Sequence, residues 1–414
     1  MKTMMIYRKK HLAVAVALMA CGLSAAPHVT IDHVAQRWPW NNNVDITYTV
    51  AGAQDVSSGT YMKLVFNAKI DDTTYSIDGG ALGASASAGT HTVTWRTAPA
   101  GVKTTTLSMS ATIYPSAVPS GDDYMIVDLS SGEVTYEGLF ARQEDSNARY
   151  NTAEYKSGKM AFRKVPAGGP YPTGDSANFS VNSNKTWTTL RDYYVSIFLV
   201  TQDQFVKLGL SNPVTGSASL NDDGTDIAKY RPVTHISWNN LRGSTTSSQT
   251  YLGENANGTF FERLNARTRA ASGITAFDLP SEVMFEIAGR AGATTKYIWG
   301  PNPDSDHIYS YAEKPGIGHP YMVGSYKPNA WGLYDMSGNV WEWMRDDASR
   351  AQMHNATGAF DFAWNSNSKA RVRGGGIFQA SPSDNEFRAS HRNEIDRSLA
   401  NRWHHGFRVA WIRQ

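Results

Sequence analysis

The sequence predicts an α+β protein in two successive parts, an all-β unit followed by a larger, loop-rich unit with a few short helices. Three observations carry this expectation. From Val29 to Tyr114, short runs of β-branched and aromatic residues alternate with turns rich in Gly, Ser, Ala and Asp. Beyond Tyr124 the hydrophobic runs are brief, Gly, Asn and Ser are spread throughout, and helical periodicity lasts only a few turns at a time. Near the end, Gly332-Leu333-Tyr334-Asp335-Met336-Ser337-Gly338-Asn339-Val340-Trp341-Glu342-Trp343 sets two carboxylates around a glycine turn inside an aromatic frame.

Residues 1–26 have the layout of a secretory signal. Lys2, Arg8, Lys9 and Lys10 precede a short apolar run from Leu12 to Ala20, and small residues follow to Ala26. That run is too short to span a membrane. Leu18-Met19-Ala20-Cys21 resembles a lipoprotein cleavage box, and Pro27 disfavours a cut directly after Ala26, so a lipid anchor on Cys21 and a plain secretory cut both stay open. The expected location is periplasmic, secreted or on the cell surface. Removing the segment takes 39 Lys and Arg down by four to 35, against 37 Asp and Glu. Without clustered positive charge, nucleic acid is excluded as a partner. Cys21 is the chain's single cysteine, which leaves an exported form without thiol chemistry.

Residues 27–120 read as an immunoglobulin-like β-sandwich. Strands are expected over Val44–Val50, Tyr61–Ile70, Thr92–Arg96 and Thr105–Tyr114, and no catalytic cluster accompanies them, which suits a spacer or adhesion module. Pro115 to Asp122 has the composition of a linker. The second unit, residues 124–414, opens with a hairpin, Tyr124–Leu129 and Val134–Tyr136, turning at Ser130-Ser131-Gly132. Helices are expected at Gln202–Leu208, at Gly258–Arg267 and from Ser281, where Pro280-Ser281 is a start signal and Val283, Phe285, Ile287 and Ala288 form an apolar side. Loops this long need extra fastening by metal ions or dense aromatic packing.

Several blocks recur in a fixed order from Met160 to Gln414: Val165-Pro166-Ala167-Gly168, Val200-Thr201, Arg231-Pro232-Val233 with Ile236-Ser237-Trp238, Leu279-Pro280-Ser281-Glu282, Tyr297-Ile298-Trp299-Gly300, the Gly332–Trp343 block, Arg373-Gly374-Gly375-Gly376, and Gly406-Phe407-Arg408-Val409-Ala410. In this order they resemble the formylglycine-generating, sulfatase-modifying-factor family. The resemblance implies a C-type-lectin-like fold for the second unit. It also implies a structural calcium ion held by Asp335 and Glu342 through their side chains and by Gly338 and Val340 through their carbonyls, a hard oxygen set suited to that ion. The alternative for the two carboxylates is pairing with the C-terminal arginines Arg373, Arg388, Arg392 or Arg408.

Active members of the family bind copper through two cysteines after the Arg-Gly-Gly segment and oxidise a substrate cysteine to formylglycine. Alignment on Arg373-Gly374-Gly375 puts Gln379 and Asp384 at those positions. Copper(I) selects thiolates, so no copper is expected. His404 and His405 are adjacent, and on a strand they would face opposite ways, making a poor chelate. The arm from Ile377 to His405 lines the substrate groove of the resembled fold. Its Phe378, Gln379, Asp384, Glu386, His391, Trp403 and His404 mix aromatic with amide, acidic and imidazole groups, which suits a polar peptide, protein or glycan ligand. The sequence therefore reads as an exported, noncatalytic recognition or scaffold protein. The alternative is a divergent metal-dependent oxidoreductase acting on a protein or peptide, with a metal near Gln379, Asp384 and His391. A third reading, an arm diversified as in the variable ligand-binding proteins that share this fold, needs more than one sequence to weigh.

Overall fold

The structure is a computed structural model that describes residues 26–36, 43–52, 60–174 except 83, 85, 87, 96–97, 100–101 and 105, then 185–214, 228–243, 256–302, 307, 319–347, 369–374, 386–400 and 404–413. Six strands form the first unit: β1 (His28–Gln36), β2 (Val44–Ala51), β3 (Thr60–Ile70), β4 (Thr73–Asp78), β5 (Gly89–Trp95) and β6 (Leu107–Ala117). They pair antiparallel in two sheets, β1-β2-β5 and β4-β3-β6. Because strand side chains alternate between faces, β2 turns Val44, Ile46, Tyr48 and Val50 inward to meet Leu64, Phe66 and Ala68 of β3 and Val93 and Trp95 of β5 in one core. Tyr48 packs edge-on against Phe66, ring centres 5.1 Å apart.

β1 and β4 were not legible in the sequence, since polar His, Asp and Thr dilute their pattern. The expected linker also starts later, because β6 runs through Pro115 to Ala117. Proline is tolerated near the end of an edge strand, and among the described residues β6 pairs with β3 and has no second neighbour.

The second unit continues with β7 (Tyr124–Asp128), β8 (Val134–Glu137), α1 (Gln143–Tyr150), β9 (Lys159–Val165), β10 (Gly168–Thr173), β11 (Lys185–Thr189), β12 (Tyr193–Ser196), α2 (Gln202–Lys207), α3 (Trp238–Arg242), α4 (Phe260–Ser272), β13 (Phe277–Asp278), α5 (Glu282–Arg290), β14 (Trp341–Asp347), β15 (Lys369–Arg373), β16 (Asn393–Asp396), β17 (His405–Gly406) and β18 (Ala410–Ile412). The main sheet has the order β13-β18-β12-β9-β7-β8, a second has β16-β15-β14-β17, and β10 pairs with β11. The chain's last strand therefore sits inside the main sheet, next to β12. This brings the C-terminal Gly406–Ala410 block beside β12 and the residues that follow it, with Ser196 N–H donating to the Val409 carbonyl and Val200 N–H to that of Phe407.

The short helices owe their starts to side-chain caps. Thr201 and Asn240-paired Ser237 close capping boxes on α2 and α3, and Ser281 accepts from the Met284 N–H at the head of α5. α4 begins two residues after the expected Gly258 because Thr259 is its cap, and it runs on to Gly273, whose left-handed conformation (φ 69°) ends it. α1 offered too weak an apolar pattern to be foreseen. It also ties the two units together, since Lys63 of β3 pairs with Asp145, and just before α1 Phe140 packs edge-on against Tyr61, centres 5.7 Å apart.

Candidate functional site

The glycine turn between Tyr334 and β14 is a tight coil of left-handed residues. Asp335 (φ 55°), Gly338 (φ 97°) and Asn339 (φ 67°) all lie in that region. Asn339 stabilises the turn by clamping Tyr321, accepting from its N–H at 3.0 Å and donating to its carbonyl at 3.1 Å. Trp341 and Trp343 are buried in β14, and the Trp343 indole donates to the Ile236 carbonyl at 3.0 Å. Both therefore belong to the core.

Glu342 is fully buried and gripped by Arg408, Nε to Oε2 at 2.7 Å and Nη2 to Oε1 at 2.8 Å. Arg408 also donates to the carbonyls of Ser196 and Tyr334. Asp335, also buried, accepts from the Gly324 N–H at 2.9 Å. Burial pushes both carboxyls above their ordinary range. For Asp335 the Gly324 N–H, Arg408 and Lys156 offset part of that rise, and for Glu342 Arg408 offsets it while the charge of Asp335 adds to it.

The oxygens around this turn are hard donors, the chemical kind that suits calcium. A Cβ placed on Gly374 would lie 3.6 Å from Glu342 Oε1, the Val340 carbonyl oxygen and the Phe285 ring alike, so the two oxygens and one aromatic edge border the same space. Each Glu342 oxygen keeps a lone pair beyond the one given to Arg408. The Gly338 carbonyl accepts from the Val340 N–H at 3.0 Å, again with one lone pair left. Asp335 and Glu342 are the two carboxylates of the set, and no group of three or more His, Cys, Asp or Glu suited to a metal occurs among the described residues.

Beside the turn, α5 carries an ion lattice. Glu286, fully buried, accepts from Arg373 at 2.8 Å and from Arg290 at 2.9 Å, with Arg392 3.7 Å away. Burial raises its carboxyl, but Arg373, Arg290 and Arg392 together outweigh that and hold it below the usual range. Arg392 lies 3.5 Å from Glu282. Of the four arginines offered as partners for Asp335 and Glu342, Arg408 takes Glu342, whereas Arg373 and Arg392 go to α5.

Of the arm residues named from sequence, Phe378, Gln379, Asp384 and Trp403 lie outside the described residues. Glu386, His391 and His404 are half-buried. His391 packs 5.4 Å from the Trp341 ring, and burial together with Arg373, Arg392 and Arg388 pushes its imidazole down to about 4. Burial raises the Glu386 carboxyl. The two adjacent histidines do not point apart as expected. Their rings lie 4.5 Å from each other, because β17 is only His405–Gly406 and His404 precedes the strand.

Sequence reading missed Lys156. Its side chain is buried, its ammonium sits 5.6 Å over the Phe198 ring, and desolvation lowers it to about 8 against the pull of Asp335. Nothing in the local pattern marks it, since it stands in a polar turn that only the fold buries.

With the geometry in view, residues 155–413 match the Sulfatase-modifying factor enzyme 1-like domain. The chain is 28% identical over 197 residues to the formylglycine-generating enzyme of Thermomonospora curvata, covering 43% of this chain and 55% of that protein. It is 34% identical over 76 residues to the formylglycine-generating enzyme of Mycobacterium tuberculosis, covering 16% of this chain and 25% of that one. The match thus spans about half the length of the first relative and a quarter of the second. Among solved structures it is similar to Treponema denticola variable protein 1, with a TM-score of 0.47 and 22% identity over 61% of this chain and 95% of that chain. It is also similar to PvdO from Pseudomonas aeruginosa, with a TM-score of 0.44 and 21% identity over 60% and 93%. The chain belongs to the sulfatase-modifying factor enzyme 1-like family.

Proposed function

We propose that this protein is an exported, noncatalytic member of its family that recognises a polar peptide, protein or glycan, or serves as a scaffold. The observation that carries the reading is the cysteine count. The chain has one, Cys21, inside the segment that reads as a signal, while copper(I) chemistry needs paired soft thiolates. Gln379 and Asp384, aligned with the family's cysteines, supply an amide and a carboxylate. The buried acids around the site support the same reading, because Glu286 and Glu342 are held by arginines as structural pairs.

In this reading the arm presents Phe378, Gln379, Asp384, Glu386, His391, Trp403 and His404 to the ligand. Calcium is bound by Asp335, Glu342 and the Gly338 and Val340 carbonyls, where it neutralises buried acid and fastens the turn. The first unit is an immunoglobulin-like spacer, a reading supported by its strand order, with the first, second and fifth strands in one sheet and the fourth, third and sixth in the other. Among the described residues no helix is long and apolar enough to cross a membrane.

The test is to incubate the purified chain with a cysteine-bearing sulfatase peptide, copper(I) and oxygen. No aldehyde is expected, and aldehyde on the peptide would overturn the reading. Elemental analysis separates the alternative, a divergent metal-dependent oxidoreductase. Calcium alone supports the noncatalytic reading, whereas stoichiometric copper or iron supports the oxidoreductase. Arrays of glycans and peptides then identify the ligand class.

A further inference from the structure

We propose that Lys156 is a built-in rival of calcium at Asp335, a buried positive charge that keeps the affinity of the glycine turn for the metal low. The inference rests on the calcium reading of the turn given above, and it adds a residue that lies outside the ligand set.

Lys156 closes the short turn Glu154–Lys156, and the fold carries its side chain inward until only 5% of the residue is exposed. Among the described residues its ammonium makes no hydrogen bond and no ion pair; it sits 5.6 Å over the Phe198 ring. One aromatic face returns far less than the hydration that a buried ammonium gives up. Such a charge persists where an acid shares its surroundings.

Asp335 is that acid. The Phe198 ring under Lys156 also packs against Tyr334, centres 5.0 Å apart, and its edge lies so close to Gly324 that an added Cβ would stand 2.5 Å from it. Gly324 in turn donates its N–H to Asp335 Oδ2 at 2.9 Å. The ammonium and the carboxylate are thus gathered around one ring. Burial lowers the Lys156 ammonium and Asp335 works against that fall; burial raises the Asp335 carboxyl, and the Gly324 N–H, Arg408 and Lys156 work against that rise.

Two internal cations therefore serve the two carboxylates of the turn. Arg408 grips Glu342 directly, and Lys156 acts on Asp335 through space. Arg408 is indispensable to the fold, because it also holds the carbonyls of Ser196 and Tyr334, whereas the Lys156 ammonium donates to no described group. Calcium affinity follows the charge gathered at a site, and among buried groups of low dielectric one extra positive charge is felt strongly. Lys156 is the residue that sets this affinity without supplying a ligand.

Calorimetric titration of the purified full chain with calcium, beside Lys156→Met and Lys207→Met, tests this. Methionine keeps the apolar stem of lysine and removes its charge, so Lys156→Met should fold and bind calcium at least about tenfold more tightly than the parent. Lys207 is exposed at the end of α2, and Lys207→Met should leave the affinity unchanged because solvent screens that charge. Terbium(III), followed by its luminescence in place of calcium, supplies a reading that loosening of the turn would not move. Repulsion grows with the charge of the ion, so the gain in Lys156→Met should be larger for terbium than for calcium. Equal or weaker calcium binding in Lys156→Met than in the parent overturns the inference and leaves the calcium reading standing, and so does a gain no larger for terbium. Absence of calcium binding in both proteins overturns the two together.

Discussion

Arg408 holds Glu342 through two parallel hydrogen bonds of 2.7 and 2.8 Å, with both side chains wholly buried, and so joins the C-terminal block to the glycine turn. The remaining donors of the guanidinium reach Ser196 at the end of β12 and Tyr334 before the turn. One side chain thus connects segments more than 200 residues apart.

Removing one partner leaves the other as an uncompensated buried charge, so Arg408→Ala is expected to destabilise by about 3–5 kcal/mol. The double variant Arg408→Leu with Glu342→Leu should lose clearly less than the two single losses combined. Denaturant unfolding of the four proteins gives the coupling, and strict additivity would contradict the pairing.

Calcium should stabilise the fold by mass action, by about 2.7 kcal/mol at roughly a hundredfold excess over its Kd. A melting curve in EGTA should therefore fall below one with calcium. Asp335→Asn should abolish the difference while keeping an acceptor for the Gly324 N–H. Coincident curves for the parent protein would remove calcium from the turn.

His391 links stability to pH. Its folded-state value of about 4 lies below the ordinary 6.5, so between these values the unfolded chain binds a proton that the folded one does not. Its contribution is complete above pH 6.5 and is lost as pH falls toward 4. His391→Gln should lack that limb, so the stability gap between parent and variant should shrink steadily across this window. A constant gap would show that the imidazole does not titrate differently in the two states.

Lys156 gives the opposite end of the profile. Its ammonium is depressed to about 8 from 10.5, so the parent should gain stability from this group as pH rises from 8 toward 10.5. The gain should be missing in Lys156→Met. Chemical denaturation at pH 7 and pH 10 measures it, and equal pH responses would refute the burial effect.

Gly324 adopts φ 70°, and a Cβ there would stand 2.5 Å from the Phe198 ring and 2.7 Å from the Asn151 carboxamide oxygen. Gly324→Ala combines an unfavourable backbone with overpacking and is expected to cost about 2–4 kcal/mol. A melting temperature within a degree or so of the parent would show that the neighbours yield freely.

The sequence by itself determined the features that local chemistry controls. The strands Val44–Ala51 and Thr60–Ile70, the Tyr124–Glu137 hairpin and the capped starts of α2 and α5 follow from side-chain periodicity and from Thr201 and Ser281, and all act within a few residues. The ordered blocks from Val165 to Ala410 likewise pointed to the family without coordinates. Only the tertiary structure decided which charge meets which. The arginines and buried acids of this region offer many neutral pairings on paper, and Arg408 with Glu342, or Arg373 and Arg290 with Glu286, are selected by how the segment before β18, β15 and α5 pack. The burial of Lys156 and the close approach of the His404 and His405 rings are set the same way. Long-range contacts decide how much water a group keeps, and that quantity is not written in its neighbours along the chain.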